Sequence, residues 1–245
     1  MSKLNFVLVH GGFHGGWCWR FVAEELRATG HAVTTPTQTG LGERQHLLRP
    51  GLTLETFTQD VVSHLECEEL SDVILVGHSF GGLSISGAAE RVPHLIRHLV
   101  YLDSLIIAPG QTPYGALPPD VVALRRRSCT DINGVSCFTP IPVEAFGIPA
   151  DHPHAQWVQR RLTPHPESLY DSPLPIKNPV GNGLPRTYIA CTAPQLSSVA
   201  ASQAWARAEP GWDWIEMKAC HDVMVTQPQE LSRLLVRIAN RPGAQ

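Results

Sequence analysis

The stretch Asp72-Val73-Ile74-Leu75-Val76-Gly77-His78-Ser79-Phe80-Gly81-Gly82-Leu83 decides the fold. Asp72–Val76 is a short apolar run rich in β-branched residues, as expected of a strand buried on both faces. Apolar positions from Leu83 to Arg91 recur with helical spacing. Only Gly77 to Gly82 separate the two. A strand that becomes a helix so quickly turns sharply at its central residue, Ser79. Glycines on either side let strand and helix approach. The turn would project the Ser79 hydroxyl outward, with the positive end of the helix behind it. An ordinary capping serine in a glycine-rich turn is the plainer reading, and it leaves the flanking strand and helix unexplained.

The same alternation extends both ways from this turn. Strands are predicted over Asn5–His10, His31–Pro36, Asp72–Val76, His98–Leu102, Arg186–Cys191 and Asp213–Met217. Helices are predicted over Trp19–Thr29, Leu54–Leu65, Leu83–Arg91, Ser198–Ala208 and Gln229–Ala239, with Thr53 as an N-cap and Gly30 as a stop. Strands separated by helices imply parallel pairing through right-handed crossovers. The fold class is therefore α/β, a doubly wound, mostly parallel six-stranded sheet.

Between Leu105 and Gly183 the pattern breaks, and 13 of the 21 prolines lie there. Proline removes a backbone donor and fixes one torsion, so long regular elements are excluded. Weak helical periodicity survives at Val121–Arg127 and His154–Leu162. Residues 1–104 and 184–245 are read as the core, and 105–183 as a cap inserted after the fourth strand. Ligands of such sheets sit beyond the carboxyl ends of the strands, where this insertion departs.

Composition narrows the function. The 245 residues carry a net charge of −3, with 43% apolar and 17% charged residues. That balance gives no electrostatic footprint for nucleic acid or an anionic membrane. Apolar runs fall short of the ~18 residues of a spanning helix, and no secretion signal is evident. A cytoplasmic protein is expected, with its oligomeric state, a homodimer included, left open. The six cysteines lack metal-site spacing and read as free thiols, with a Cys129–Cys137 bridge as the alternative.

Three further pieces complete a chemistry. A tetrahedral intermediate needs two fixed N–H donors at its oxyanion. One is expected from Phe80, directly after the nucleophile. The other is expected from Gly12, in the loop His10-Gly11-Gly12 after the first strand. His221 follows the last strand in Ala219-Cys220-His221-Asp222, in the position of a general base.

Three motifs carry a resemblance over nearly the whole chain: Val7–Trp17 with His10-Gly11-Gly12-Phe13-His14-Gly15-Gly16, Val73–Gly82, and His221-Asp222-Val223-Met224. Together they resemble the α/β-hydrolase branch that holds plant methyl esterases, hydroxynitrile lyases and bacterial carboxylesterases. The resemblance implies Ser79 as nucleophile, His221 as base, and Gly12 and Phe80 as oxyanion donors. It also implies an acid just after the fifth strand, where this chain has Cys191-Thr192-Ala193-Pro194 and no carboxylate. Asp103, ending the fourth strand, is the expected substitute, with Glu216 and Asp213 as rivals. Asp222 adjoins the histidine too closely to orient it.

The expected activity is serine carboxylic ester hydrolysis on a small to medium, largely apolar ester, with no metal or organic cofactor. Lactonase, thioesterase or C–C bond hydrolase chemistry shares the same triad, and a low-turnover ligand receptor shares the fold. Hydroxynitrile lyases of this branch carry Thr and Lys where Gly11 and Asp222 stand, and a dehalogenase needs Asp in place of Ser79. Arg125-Arg126-Arg127, Arg160-Arg161, His152, His154 and His165 read as solvated surface. Phe138, Phe146, Trp157 and Tyr170 are expected to line the cap or pack beneath it.

Overall fold

Strand β1 (Asn5–Val9) shows why the sheet carries helices on both sides. Phe6 and Leu8 pack into one apolar core, Val7 and Val9 into another, and all four are buried. Side chains alternate across a strand, so an unbroken apolar run is satisfied only when both faces are covered.

The computed structural model describes residues 3–241. After β1 come α1 (Arg20–Ala28), β2 (Ala32–Thr34), α2 (Leu54–Cys67), β3 (Val73–His78), α3 (Gly81–Arg91) and β4 (Ile96–Leu102). The inserted segment holds α4 (Pro119–Arg127), β5 (Thr130–Ile132), β6 (Val135–Phe138), α5 (Ala155–Gln159), β7 (His165–Pro166) and α6 (Ser168–Asp171). The chain returns through β8 (Arg186–Cys191), α7 (Ala200–Ala208), β9 (Asp213–Met217), α8 (Val223–Thr226) and α9 (Pro228–Ala239).

Six strands form one parallel sheet in the order β2-β1-β3-β4-β8-β9. The chain runs outward from β1 to β2, then crosses back to place β3 on the other side of β1. The carboxyl ends of β1 and β3 thus flank the switch point, where such sheets open a crevice. One face is covered by α1 and α9, through Val22, Leu26, Leu231, Leu235 and Ile238. The other is covered by α2, α3 and α7, through Phe57, Val61, Leu83, Ile85 and Ala206. Thr53 caps α2 in a reciprocal capping box with Thr56.

The sheet strands lie where the apolar runs predict them, with shifted ends: β4 begins at Ile96 and β2 spans only Ala32–Thr34. The inserted segment differs more. It holds an antiparallel sheet, β5-β6-β7, that the sequence reading did not anticipate. Asn133 and Gly134 join β5 to β6 with φ of 55° and 82°, the left-handed torsions of a tight hairpin. Val143, Phe146 and Val158 of this segment join the α1/α9 core, and Leu169, Leu174 and Ile176 join the α2/α3 core. The insertion is thus anchored in the same two cores as the sheet. All six cysteines, Cys129 and Cys137 included, are free thiols. Among the described residues no helix is long and apolar enough to cross a membrane.

Gly81 marks the closest approach of helix to sheet. A Cβ there would sit 2.6 Å from the His10 carbonyl oxygen and 2.9 Å from that of Val9. Both are backbone atoms of β1 or its end and cannot swing aside. Gly81→Ala is therefore expected to destabilise the fold by about 1–3 kcal/mol, read as a lower denaturation midpoint in urea.

Candidate active site

Ser79 leaves β3 and enters α3 within two residues, and it does so with φ of 52°. A non-glycine residue in the left-handed region is strained, and the surrounding bonds hold it there. Its N–H donates to the Leu102 carbonyl at 3.1 Å, and its carbonyl accepts from Gly82 at 3.1 Å and Leu105 at 3.0 Å. Gly11 passes so close that a Cβ on it would meet the Ser79 Cβ at 2.7 Å. The loop after β1 and the turn after β3 are therefore in contact.

Asp103 sits at the matching place one strand over, directly after β4, and is also left-handed, with φ of 44°. It is fully buried. Its Oδ2 lies 2.6 Å from His221 Nδ1. Its Oδ1 accepts from the Cys191 N–H at 3.2 Å and from Gln203 Nε2 at 2.6 Å. A carboxylate held by three donors fixes the histidine ring and its tautomer, leaving Nε2 for Ser79. Gln203 lies on α7 and also bonds to Gln195 and the Cys191 carbonyl; it escaped the sequence reading because no motif marks a residue that supports the acid from a separate helix.

The rival acids lie elsewhere. Glu216 is exposed, 3.3 Å from Arg207, and accepts from Trp214 Nε1. Asp213 is exposed and paired with Arg241 at 3.1 Å. Asp222 is buried, but its bond runs to His14 Nε2 at 3.0 Å and not to His221.

Ser79, His221, Gly12 and Phe80 all line one cavity of about 630 Å³. Neither the Gly12 nor the Phe80 N–H has an acceptor among the described residues, so both can receive a substrate oxygen. The direction of the Gly12 N–H is set from behind. His10 Nδ1 donates to the Gly11 carbonyl at 2.8 Å, and that carbonyl shares its planar peptide with the Gly12 N–H. The other His10 nitrogen, Nε2, accepts from the Gln38 N–H at 3.0 Å. Burial, only partly opposed by the bond to Gly11, lowers the His10 pKa to about 3. The ring is therefore neutral, as a donor–acceptor pair of this kind requires.

His78, beside Ser79, donates from Nε2 to the His221 carbonyl at 3.0 Å and so ties the His221 loop to the turn after β3. Burial, together with the neighbouring histidines, holds its pKa well below the ordinary value. His78, His221 and Asp222 bring one ligand-type atom each within 4.8 Å. Each of the three makes a side-chain hydrogen bond, His78 to the His221 carbonyl, Asp222 to His14 and His221 to Asp103.

The remaining cavity wall comes largely from the insertion and α7. Phe138, Phe146 and Tyr170 line it, whereas Trp157 lies outside, packed against Trp17 and Phe21. Three surface expectations change. Arg125 lines the cavity, over the Tyr170 ring at 5.8 Å, while Arg126 pairs with Asp171 at 2.7 Å. His165 is wholly buried among Phe13, Phe57, Phe80 and Tyr170, and burial lowers its pKa to about 3. His154 is half-buried and stacks on Phe21 at 4.3 Å. A proline-rich chain reads as surface, yet here it is pressed onto the sheet edge.

Residues 6–234 match the model of the alpha/beta hydrolase family. The chain belongs to that family. It is similar to a carbendazim hydrolyzing esterase of Nocardioides sp. (strain SG-4G), at 40% identity across 96% of this chain and 99% of the other. Methylesterase 1 of Arabidopsis thaliana is 28% identical, with 98% and 97% of the two chains aligned. Among solved structures, an extracellular alpha/beta-hydrolase from a Paenibacillus species superposes with a TM-score of 0.82. That protein is 26% identical, and the match covers 98% of this chain and all of that one.

With its carboxylate on His221 Nδ1, Asp103→Asn should fold normally and lose ~10²–10⁴-fold in kcat. Glu216→Gln should stay within about twofold. Steady-state kinetics on one activated ester compares the two, and the reverse order would reassign the acid.

Proposed function

We propose that this protein is a serine carboxylic ester hydrolase that works through an acyl-enzyme. The observation that carries the reading is the Asp103–His221 bond of 2.6 Å, inside a cavity that Ser79 also lines. The similarity to a carbendazim hydrolyzing esterase and to Methylesterase 1 supports the same reaction class.

The chemistry follows from the geometry. Ser79 Oγ attacks the ester carbonyl carbon and passes its proton to His221 Nε2. The carbonyl oxygen becomes an oxyanion held by the Gly12 and Phe80 N–H groups. Collapse breaks the C–O bond, and His221 returns the proton to the departing alcohol. Water then attacks the acyl-Ser79 carbonyl and gives a proton to His221. The second collapse releases the acid and restores Ser79. Asp103 stays ionised throughout and stabilises the imidazolium. Each role falls to a residue of this chain.

The insertion acts as a cap that selects substrate. Leu105, Ile107, Phe138 and Phe146 make its side of the cavity apolar, which suits a largely apolar ester of small to medium size. Arg125 is the exception, a guanidinium among these side chains. It suits a carboxylate or other strong acceptor at the end of the substrate remote from the scissile bond.

Two measurements test the reading. Ser79→Ala should lower hydrolysis of 4-nitrophenyl butyrate by ~10³-fold or more with the fold intact. A serine-directed phosphonate should label Ser79 alone, and labelling elsewhere would reject the nucleophile. For Arg125, kcat/KM on 4-nitrophenyl hydrogen glutarate is compared with that on 4-nitrophenyl butyrate. Arg125→Gln should reduce the ratio by about 3–10-fold, a modest effect because the site is part-exposed. An unchanged ratio would leave Arg125 without a part in selection.

A further inference from the structure

A second histidine–carboxylate pair lies beside the first, and the reaction above does not use it. His14 and Asp222 are both buried, and His14 Nε2 lies 3.0 Å from Asp222 Oδ2. The other nitrogen, His14 Nδ1, lies 2.7 Å from the Gly12 carbonyl oxygen. A carbonyl can only accept, so Nδ1 carries a proton. The bond between Nε2 and Oδ2 needs one more proton, held by either atom. The pair is therefore net neutral, with one proton shared between ring and carboxylate. Losing that proton would set a lone pair against a buried carboxylate, a costly arrangement.

The connections give the pair a task. Gly12 belongs to the loop that supplies an oxyanion donor, and Asp222 is the residue after His221. His14 thus ties these two loops together through two hydrogen bonds, while its ring is stacked on Trp17 at 5.4 Å and edge-on to Phe146 at 5.3 Å. With His10 holding the Gly11 carbonyl, both peptide planes that flank the Gly12 Cα are pinned. The charge neighbours are quiet. Burial keeps His10 and His78 neutral, and burial with the Asp222 charge keeps the Cys18 thiol protonated. Burial by itself disfavours a charged His14, but Asp222 outweighs it and raises the His14 pKa.

We infer that His14 and Asp222 are positioning residues, a clamp that fixes the Gly12 oxyanion donor relative to the base His221. The inference rests on the ester-hydrolase reading and assigns that site its loop geometry. A positioning role acts on the transition state, where the oxyanion exists, more than on the bound ester.

The test compares Asp222→Ala with Asp222→Asn. An asparagine amide can still donate to Nε2 of a neutral His14 and hold Gly12 in place. Asp222→Ala should lower kcat by ~10²-fold with KM within about threefold, as expected of a displaced donor. Binding of a trifluoromethyl ketone, whose adduct with Ser79 carries the oxyanion, should weaken in parallel. Asp222→Asn should recover most of both losses. Should Asp222→Ala fail to fold, His14→Phe combined with Asp222→Leu removes both partners at similar volume and should show the same kcat loss at a native melting temperature. Full kcat in folded Asp222→Ala or in the folded double variant, or a loss confined to KM, would overturn the clamp. A wild-type protein inert toward every ester and unlabelled by phosphonate would instead overturn the hydrolase reading, and the clamp with it.

Discussion

The left-handed backbone at Ser79 is the constraint on which the rest of the structure depends. A residue can hold φ of 52° only where its surroundings leave no relaxed alternative. Here the Leu102, Gly82 and Leu105 backbone groups bind both ends of the Ser79 residue, and Gly11 lies against its Cβ. These groups come from β4, the segment just after it, α3 and the loop after β1, so the turn exists only once separate elements have assembled. The same assembly brings the β1 loop to Ser79 and places Asp103 one strand away, at the same level of the sheet. Strain at one residue and the convergence of the site are two results of one packing arrangement.

Histidines do most of the joining around this turn, and they divide by partner. His10 and His78 are buried where desolvation keeps them neutral, and each spends a nitrogen on a backbone carbonyl, His10 on that of Gly11 beside it and His78 on that of His221. His14 and His221 are each paired with a carboxylate. A neutral imidazole offers one donor and one acceptor, which suits bracing of backbone. A carboxylate partner fixes the His221 ring through Nδ1 and lets His14 bond two acceptors. Four rings of one residue type thus serve different ends because their surroundings differ.

The inserted segment shows how a weakly patterned stretch acquires structure from its context. Its helices and strands are short, and its buried side chains enter the two cores of the sheet. Once docked, it supplies aromatic walls and a guanidinium to a cavity whose floor is the sheet edge.

Much of this was legible in the residues alone. Continuous apolar runs such as Val73–Val76 demand burial on both faces, and that demand makes the alternating α/β order visible without coordinates. Gly77-His78-Ser79-Phe80-Gly81 was legible as a sharp strand-to-helix turn, because such a turn needs those residue types locally. Asn133-Gly134 was a readable hairpin signal too, although the prolines around it obscured it. What only the tertiary structure decided are contacts between residues far apart in sequence. Glu216, Asp213 and Asp103 are equivalent as carboxylates, and the register of β4 against β8 and β9 determines which one reaches His221. Gln203 on Asp103, His14 on Asp222 and Arg125 at the cavity follow the same rule. Local pattern reports which surfaces must be buried, but the partner of a polar group is set by packing across the sheet, which no single stretch of chain encodes.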